Sequence, residues 1–182
     1  MQGLLKLSRA IDAVTAFIGK AVIWLILASI LISAGNATSR KLLDWSSNAW
    51  LELQWYLFGA AFMLAAAYTL QRNEHIRIDI VSSRLSKTAR NVIELIGHCL
   101  MLMPFSLLML WEMWPSMRDS YEQGETSSNY GGLLIWPAKA LIFAGFAVLA
   151  IQGVSEIIKR IAVMAGSIPD PHEARPAEAP VE

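Results

Sequence analysis

Phe58-Gly59-Ala60-Ala61-Phe62-Met63-Leu64-Ala65-Ala66-Ala67-Tyr68-Thr69-Leu70 contains no charged side chain, and that absence decides the fold class. A helix covering a water-soluble core puts charge toward solvent every three or four residues, because one of its sides must meet water. Here no side does. The uncharged stretch continues outward from Leu53 to Gln71, and similar runs extend from Ala21 to Ser39 and from Leu95 to Trp111, the last broken only by His98. A fourth run, Leu133 to Ile158, holds Lys139 near one end and Glu156 near the other. A hydrocarbon core of about 30 Å is crossed by about 20 helical residues, and all four runs have that reach. With 55% apolar residues concentrated in these blocks, the chain reads as an all-α integral membrane protein with four transmembrane helices.

Charge sets the expected orientation. Five Lys or Arg lie in the connector from Arg72 to Arg90. Placing both termini in the cytoplasm puts ten Lys or Arg on the inner side and three on the outer side, the arrangement that the positive-inside rule favours. Asp119, Glu122 and Glu125 make the third connector acidic, and Trp45, Trp50, Trp55, Trp114 and Trp136 gather at the outer ends of the spans, where amphipathic rings suit the headgroup layer.

Upstream of the first span, Leu4, Leu7, Ile11, Val14 and Ile18 recur at three- and four-residue spacing, with Lys6, Arg9 and Asp12 elsewhere on the helix. That pattern predicts an N-terminal interfacial helix that lies along the inner surface before turning into the membrane. The first apolar run is longer than a signal-peptide core and three more spans follow, so it is expected to stay uncleaved. Asn36-Ala37-Thr38 fits the glycosylation sequon, a pattern short enough to arise by chance. Residues 166–182 hold four prolines among Glu, Ala and Asp, a composition that buries too little apolar surface to offset its ordering entropy. The expected organisation is a membrane domain over 1–165 and a disordered cytoplasmic tail over 166–182.

Little chemistry of the enzymatic kind is present. Cys99 is the single cysteine, which excludes an intramolecular disulfide or a thiol relay. Of His75, His98 and His172, only His98 lies at membrane depth, so bis-histidine haem ligation within one chain fails. No phosphate-binding glycine loop or metal-spaced cluster occurs, and no catalytic residue, cofactor, metal or nucleic-acid partner is expected. Inverted repeats, the mark of many self-sufficient transporters, are not found either.

Ionisable groups at membrane depth cost about 2.5–3.5 kcal/mol at a helix centre on insertion scales, so each needs a partner, a water path or a short reach to the interface. Lys20 is expected to snorkel to the inner headgroups. Glu94 and His98, four residues apart, are expected to form a local acid–base pair. Glu112 late in the third span and Lys139 early in the fourth are expected to pair across antiparallel helices. Glu52 and Gln54 open the second span beside Trp55, where the carboxylate is either hydrated or set against a partner. Pro104 predicts a kink in the third span, and Gly59, Ala60, Ala61, Ala65, Ala66 and Ala67 make the second span the expected site of tightest packing. Asp79 suits the N-cap of an inner amphipathic helix with Val81, Leu85, Ala89 and Val92 on one face, its Arg84, Lys87 and Arg90 reaching headgroup phosphates; a plain basic loop is the alternative.

Glu52-Leu53-Gln54-Trp55-Tyr56-Leu57-Phe58, running on to Arg72-Asn73-Glu74-His75-Ile76-Arg77-Ile78-Asp79-Ile80, resembles the small membrane subunit of tripartite ATP-independent periplasmic (TRAP) transporters. The likeness continues through Gly124-Glu125-Thr126-Ser127-Ser128-Asn129-Tyr130-Gly131-Gly132-Leu133 and Trp136-Pro137-Ala138-Lys139 to Gln152-Gly153. Glu-Leu-Gln-Trp and Gly-Gly-Leu look like the branch associated with mannitol, chloroaromatic or 2-oxo acid uptake. The resemblance implies a scaffold in the bacterial inner membrane. It would steady a large elevator-type subunit that carries the substrate and sodium sites, and offer outer surface to a periplasmic solute-binding protein, in sodium-coupled import of organic acids. Glu52, Gln54, Trp55, His75, Arg77, Asp79, Arg84, Glu122, Glu125 and Lys139 are the interface candidates toward those partners and toward membrane lipids, with Tyr121–Gly132 the candidate contact for the binding protein. The competing reading is a self-contained oligomeric carrier of the small multidrug exporter type, with Glu52 or Glu94 as its coupling carboxylate.

Overall fold

A computed structural model of the chain describes residues 1–73 and 86–170. The elements are α1 (Gln2–Leu43), α2 (Asn48–Arg72), α3 (Lys87–Gly97), a π turn (His98–Leu102), α4 (Met103–Glu122) and α5 (Trp136–Met164). α1, α2, α5 and the continuous α3–π–α4 rod are each long and apolar enough to cross a membrane. The expected all-α, four-span architecture is therefore what the chain adopts.

Local chemistry sets the helix ends. Asp44 and Asn73 take left-handed conformations (φ 50° and 57°) after α1 and α2, a geometry that short polar side chains tolerate. Ser86 caps α3, its Oγ accepting from the Ala89 N–H at 3.2 Å. Pro137 begins α5, where a missing N–H costs nothing. Gly166 (φ 67°) closes that helix in a Schellman motif, with Ser167 N–H bonding Ala162 O at 2.9 Å and Gly166 N–H bonding Val163 O at 3.0 Å.

α5 is the axis of the bundle. It packs against α1, α2, α3, the π turn and α4, while α1 and α2 also pack on each other. Eight α5 residues are buried against four on α2, so the tightest packing belongs to the fourth span and not, as the alanine-rich sequence suggested, to the second. Ala60, Ala61 and Ala67 of α2 do face neighbouring helices, but α2 packs only on α1 and α5, whereas α5 meets every other helix. Its glycines permit the approach: a Cβ on Gly145 would stand 2.6 Å from Met63 Cβ, and one on Gly153 3.0 Å from Leu102 Cδ2.

One expectation is corrected by the helix geometry. The N-terminal segment is not a separate interfacial helix; it runs unbroken into the first span within Gln2–Leu43, a rod of about 60 Å at ~1.5 Å per residue. Leu4, Leu7 and Val14 are exposed, as an apolar stripe facing lipid would be, and Ser8 and Thr15 on another face are buried. Pro104 is absorbed by a π turn just before it, in which Met103 N–H bonds His98 O; the wider turn accommodates the donor missing at Pro104. The proposed Asp79 cap, with Val81, Arg84 and Leu85, lies outside the described residues, and α3 itself starts at Lys87. The tail expected from residue 166 is described as far as Asp170.

The buried apolar side chains among the described residues are Val22 and five alanines, whereas the buried polar set includes Glu52, Asn91, Gln152, Glu156 and Arg160. We expect Gly145→Leu, which forces a side chain into Met63, to destabilise the chain by about 1–3 kcal/mol in a detergent thermal melt. Gly59→Leu, at a position with open space around the missing Cβ, should leave the melt unchanged.

Candidate functional site

At the end of the bundle where α2 begins, the segment after α4 folds back on itself and is pinned to the start of α2. Gly124 and Gly131 adopt positive φ (60° and 69°), which lets Ser127 N–H reach Leu133 O at 2.9 Å and Ile135 N–H reach Glu125 O at 2.9 Å. Glu52, 4% exposed, accepts hydrogen bonds from Ser127 Oγ, from Asn129 Nδ2 at 2.8 Å and from Leu133 N–H at 2.6 Å. Gly132 packs so closely that a Cβ there would lie 2.9 Å from Glu52 Oε1. Asn48 Nδ2 donates to Tyr130 O at 2.9 Å and Tyr56 Oη to Leu134 O at 3.0 Å. Three side chains of α2 thus hold one loop, and a carboxylate satisfied by three donors is the strongest of these ties.

Glu125 pairs with Lys139 at 2.8 Å, and Lys139 Nζ also reaches Ser116 O at 3.5 Å. The anticipated Glu112–Lys139 pair is therefore not formed: Glu112 is exposed on α4, and the lysine turns to the loop. The hydrogen bond from Lys139 is the main cause that holds the Glu125 carboxyl below its ordinary value. Glu122 pairs with Arg118 one turn earlier at 2.7 Å, both well exposed.

At the opposite end, α1 and α5 are joined by a polar network. Gln152, fully buried, donates from Nε2 to Asp12 Oδ1 and to Glu156 Oε1, each at 2.9 Å, and accepts from Thr15 Oγ1 at 2.8 Å. Both amide protons are used, so only one orientation of this side chain satisfies the site. Ser155 Oγ reaches Asp12 Oδ1 at 2.9 Å and lies 2.7 Å from Ser8 Oγ. Lys159 bridges Asp12 at 3.1 Å and Glu156 at 2.5 Å. Gln71 of α2 donates to Asp12 O at 2.9 Å.

Beside it, buried Arg160 ties three segments. It bonds Asn91 Oδ1 of α3 at 2.8 Å, pairs with Glu94 of α3, and meets Asp170 beyond α5 at 3.2 Å. Glu94 therefore has an arginine on another helix as an ion-pair partner, which the expected local pairing with His98 did not include. The His98 Nδ1 is buried without a hydrogen-bond partner among the described residues.

Of the interface candidates, Glu52, Glu125 and Lys139 come together in this loop clamp, with Glu122 nearby. Gln54 is half-buried, its backbone carbonyl accepting from Ser29 Oγ of α1 at 3.2 Å, and Trp55 is exposed. His75, Arg77, Asp79 and Arg84 lie outside the described residues. Sequence reasoning set Asp12 off the apolar stripe of an interfacial helix, met Gln152 only as part of the resemblance, and assigned no role to Ser155 or Arg160. The signal was present in the spacing: Ser8, Asp12 and Thr15 form one helical stripe, as do Gln152, Ser155, Glu156 and Lys159.

Glu52→Ala should release the loop, and we expect amide hydrogen exchange over residues 125–135 to quicken at least tenfold. The Glu125–Lys139 tie has its own pH signature. A carboxyl depressed in the folded state stabilises above its unfolded value and loses that contribution as pH falls through the folded one. Loop protection by this tie should therefore be intact at neutral pH and vanish on acidification below about 4.5, the ordinary carboxyl value. Glu125→Gln should lack this pH-dependent step.

No curated protein and no solved structure matches the chain. The family model described as "Tripartite ATP-independent periplasmic transporters, DctQ component" matches residues 29–163, from within α1 to the end of α5. The chain belongs to the DctQ family of TRAP transporter small membrane subunits.

Proposed function

We propose that this chain is the static membrane subunit of a sodium-coupled, binding-protein-dependent secondary transporter that imports organic acids. In this reading it braces a large elevator subunit and presents the outer loop to a periplasmic solute-binding protein. Both termini are cytoplasmic and the membrane is the bacterial inner membrane; the lysine and arginine asymmetry and the outer tryptophans support this orientation.

The observation that carries the reading is how the polar groups are used. Glu52 is saturated by its own loop and Glu94 is paired with Arg160. Those are the two carboxylates that a self-contained carrier of the small multidrug exporter type would need for coupling. A side chain that must bind and release an ion or a solute in each cycle is poorly served by three internal donors. The same ties suit a brace, because they join helix to helix and loop to helix at both ends of the bundle. The outer faces are rich in exposed Trp, Leu and Phe, which suits contact with lipid or with another membrane subunit.

Reconstituted alone, the chain should show no sodium-dependent uptake of a loaded binding protein's ligand; with the large subunit, uptake should appear. Uptake by the isolated chain would overturn the proposal. Glu122→Lys, which leaves the Glu52 clamp intact, should raise the binding-protein concentration for half-maximal uptake several-fold with the complex at its normal membrane level.

A further inference from the structure

Glu112 stands on the exposed side of α4 and has no hydrogen-bond or ion-pair partner among the described residues. Lys139 of α5, the nearest cation by depth, is committed to Glu125. The rings of Tyr121 and Trp136 meet at 5.4 Å near the end of α4, and Glu112 lies nine residues before Tyr121, about 13 Å along the helix at ~1.5 Å per residue. From the other end, with the Glu94–Arg160 pair as a boundary, a hydrocarbon core of about 20 residues reaches as far as Trp114. Two methylenes are too few to carry the carboxylate from there to the headgroups, so a partner must come to it.

Two further features describe that partner. Pro115 stands inside α4 and has no N–H, which leaves the Trp111 carbonyl without its helical donor in the same turn that holds Glu112. The stretch therefore offers acceptors and no donor, the complement of a Lys or Arg side chain, which carries donors alone. Glu112 also interrupts an apolar stripe. Met101, Phe105, Leu108, Glu112 and Pro115 follow at alternating four- and three-residue steps, and all are exposed. That is the spacing at which one helix lies along another, with a lone polar residue setting the register.

Lipid does not meet these needs, because acyl chains carry no donor and headgroup amines stay at the surface. A second copy of this chain does not meet them either: its Lys139 is held by Glu125, and its Lys20 lies toward the other end, in a groove with Tyr68 and Gln71. We propose that this face of α4 packs against a transmembrane helix of the large subunit, and that a Lys or Arg of that helix pairs with Glu112 and reaches the Trp111 carbonyl. The inference rests on the large subunit being the partner, and adds to that reading the contact face and the charge that the partner brings.

Co-purification of the large subunit with the wild-type chain from native membranes tests the partnership itself. In the same complex, photoreactive benzoylphenylalanine in place of Leu108 should cross-link to the large subunit. Glu112→Lys should lower the co-purified large subunit at least fivefold with this chain at its normal membrane level, and one Lys→Glu or Arg→Glu substitution within the spans of the large subunit should restore it. Cross-links confined to lipid or to a second copy, undiminished co-purification with Glu112→Lys, or the lack of any restoring substitution would overturn the assignment. The cross-link is read in a chain that keeps Glu112, so it decides the matter even where Glu112→Lys fails to insert. A wild type that does not co-purify would remove the partner and this interface together, an outcome distinct from a complex that forms without the cross-link.

Discussion

Lipid already solvates large apolar side chains, and so a helix bundle within it gains little by turning them inward. What must be hidden there is polarity. This chain obeys that constraint throughout: Phe, Trp, Leu and Ile cover the outside, while alanine, glycine, serine and hydrogen-bonded charge fill the seams. Close backbone approach at Gly145 and Gly153 supplies dispersion contacts over a broad front. The hydrogen bonds of Gln152 and Arg160 then fix which approach is made, since each side chain is satisfied in one arrangement only.

The two polar centres differ in what they hold. The one at Glu52 is local in space but long in sequence, a carboxylate near the start of α2 receiving a loop about 80 residues later. The other ties helix to helix, α1 to α5 through Asp12 and Gln152, and α3 to α5 through Asn91, Glu94 and Arg160. Between them lies a middle stretch of mostly small and apolar contacts. A bundle fastened at both ends and close-packed between resists tilting of one helix against another, the property that the proposed bracing role calls for.

The four spans were legible in the sequence because an apolar run of membrane length has few other readings, and the family was legible because several short motifs occur in a fixed order around those spans. The side-chain partners were not. Depth along a helix follows from counting residues, but facing requires the rotational phase, and that is lost at any irregularity. Glu112 and Lys139 were matched by depth; the π turn at His98–Leu102 intervenes, and the second half of the third span leaves Glu112 exposed. Glu94 and His98 are neighbours by spacing, yet Arg160 on another helix offers the carboxylate a full opposite charge. Glu52 could be read as a boundary residue, whereas its three donors are brought to it by a loop whose path depends on two positive-φ glycines. Asp12 was set off the apolar stripe, and nothing local shows that a buried glutamine of α5 stands opposite.

The π turn has a structural consequence of its own. One additional residue within a helix rotates everything beyond it by about 100° relative to an unbroken one. The lower half of the third span presents Asn91 and Glu94 to the central helix, and the upper half presents Ser106, in a relation set by that single inserted residue. Removing a residue there would leave both halves helical yet misalign their inward stripes, so the span would satisfy its lower contacts or its upper ones, but not the two together.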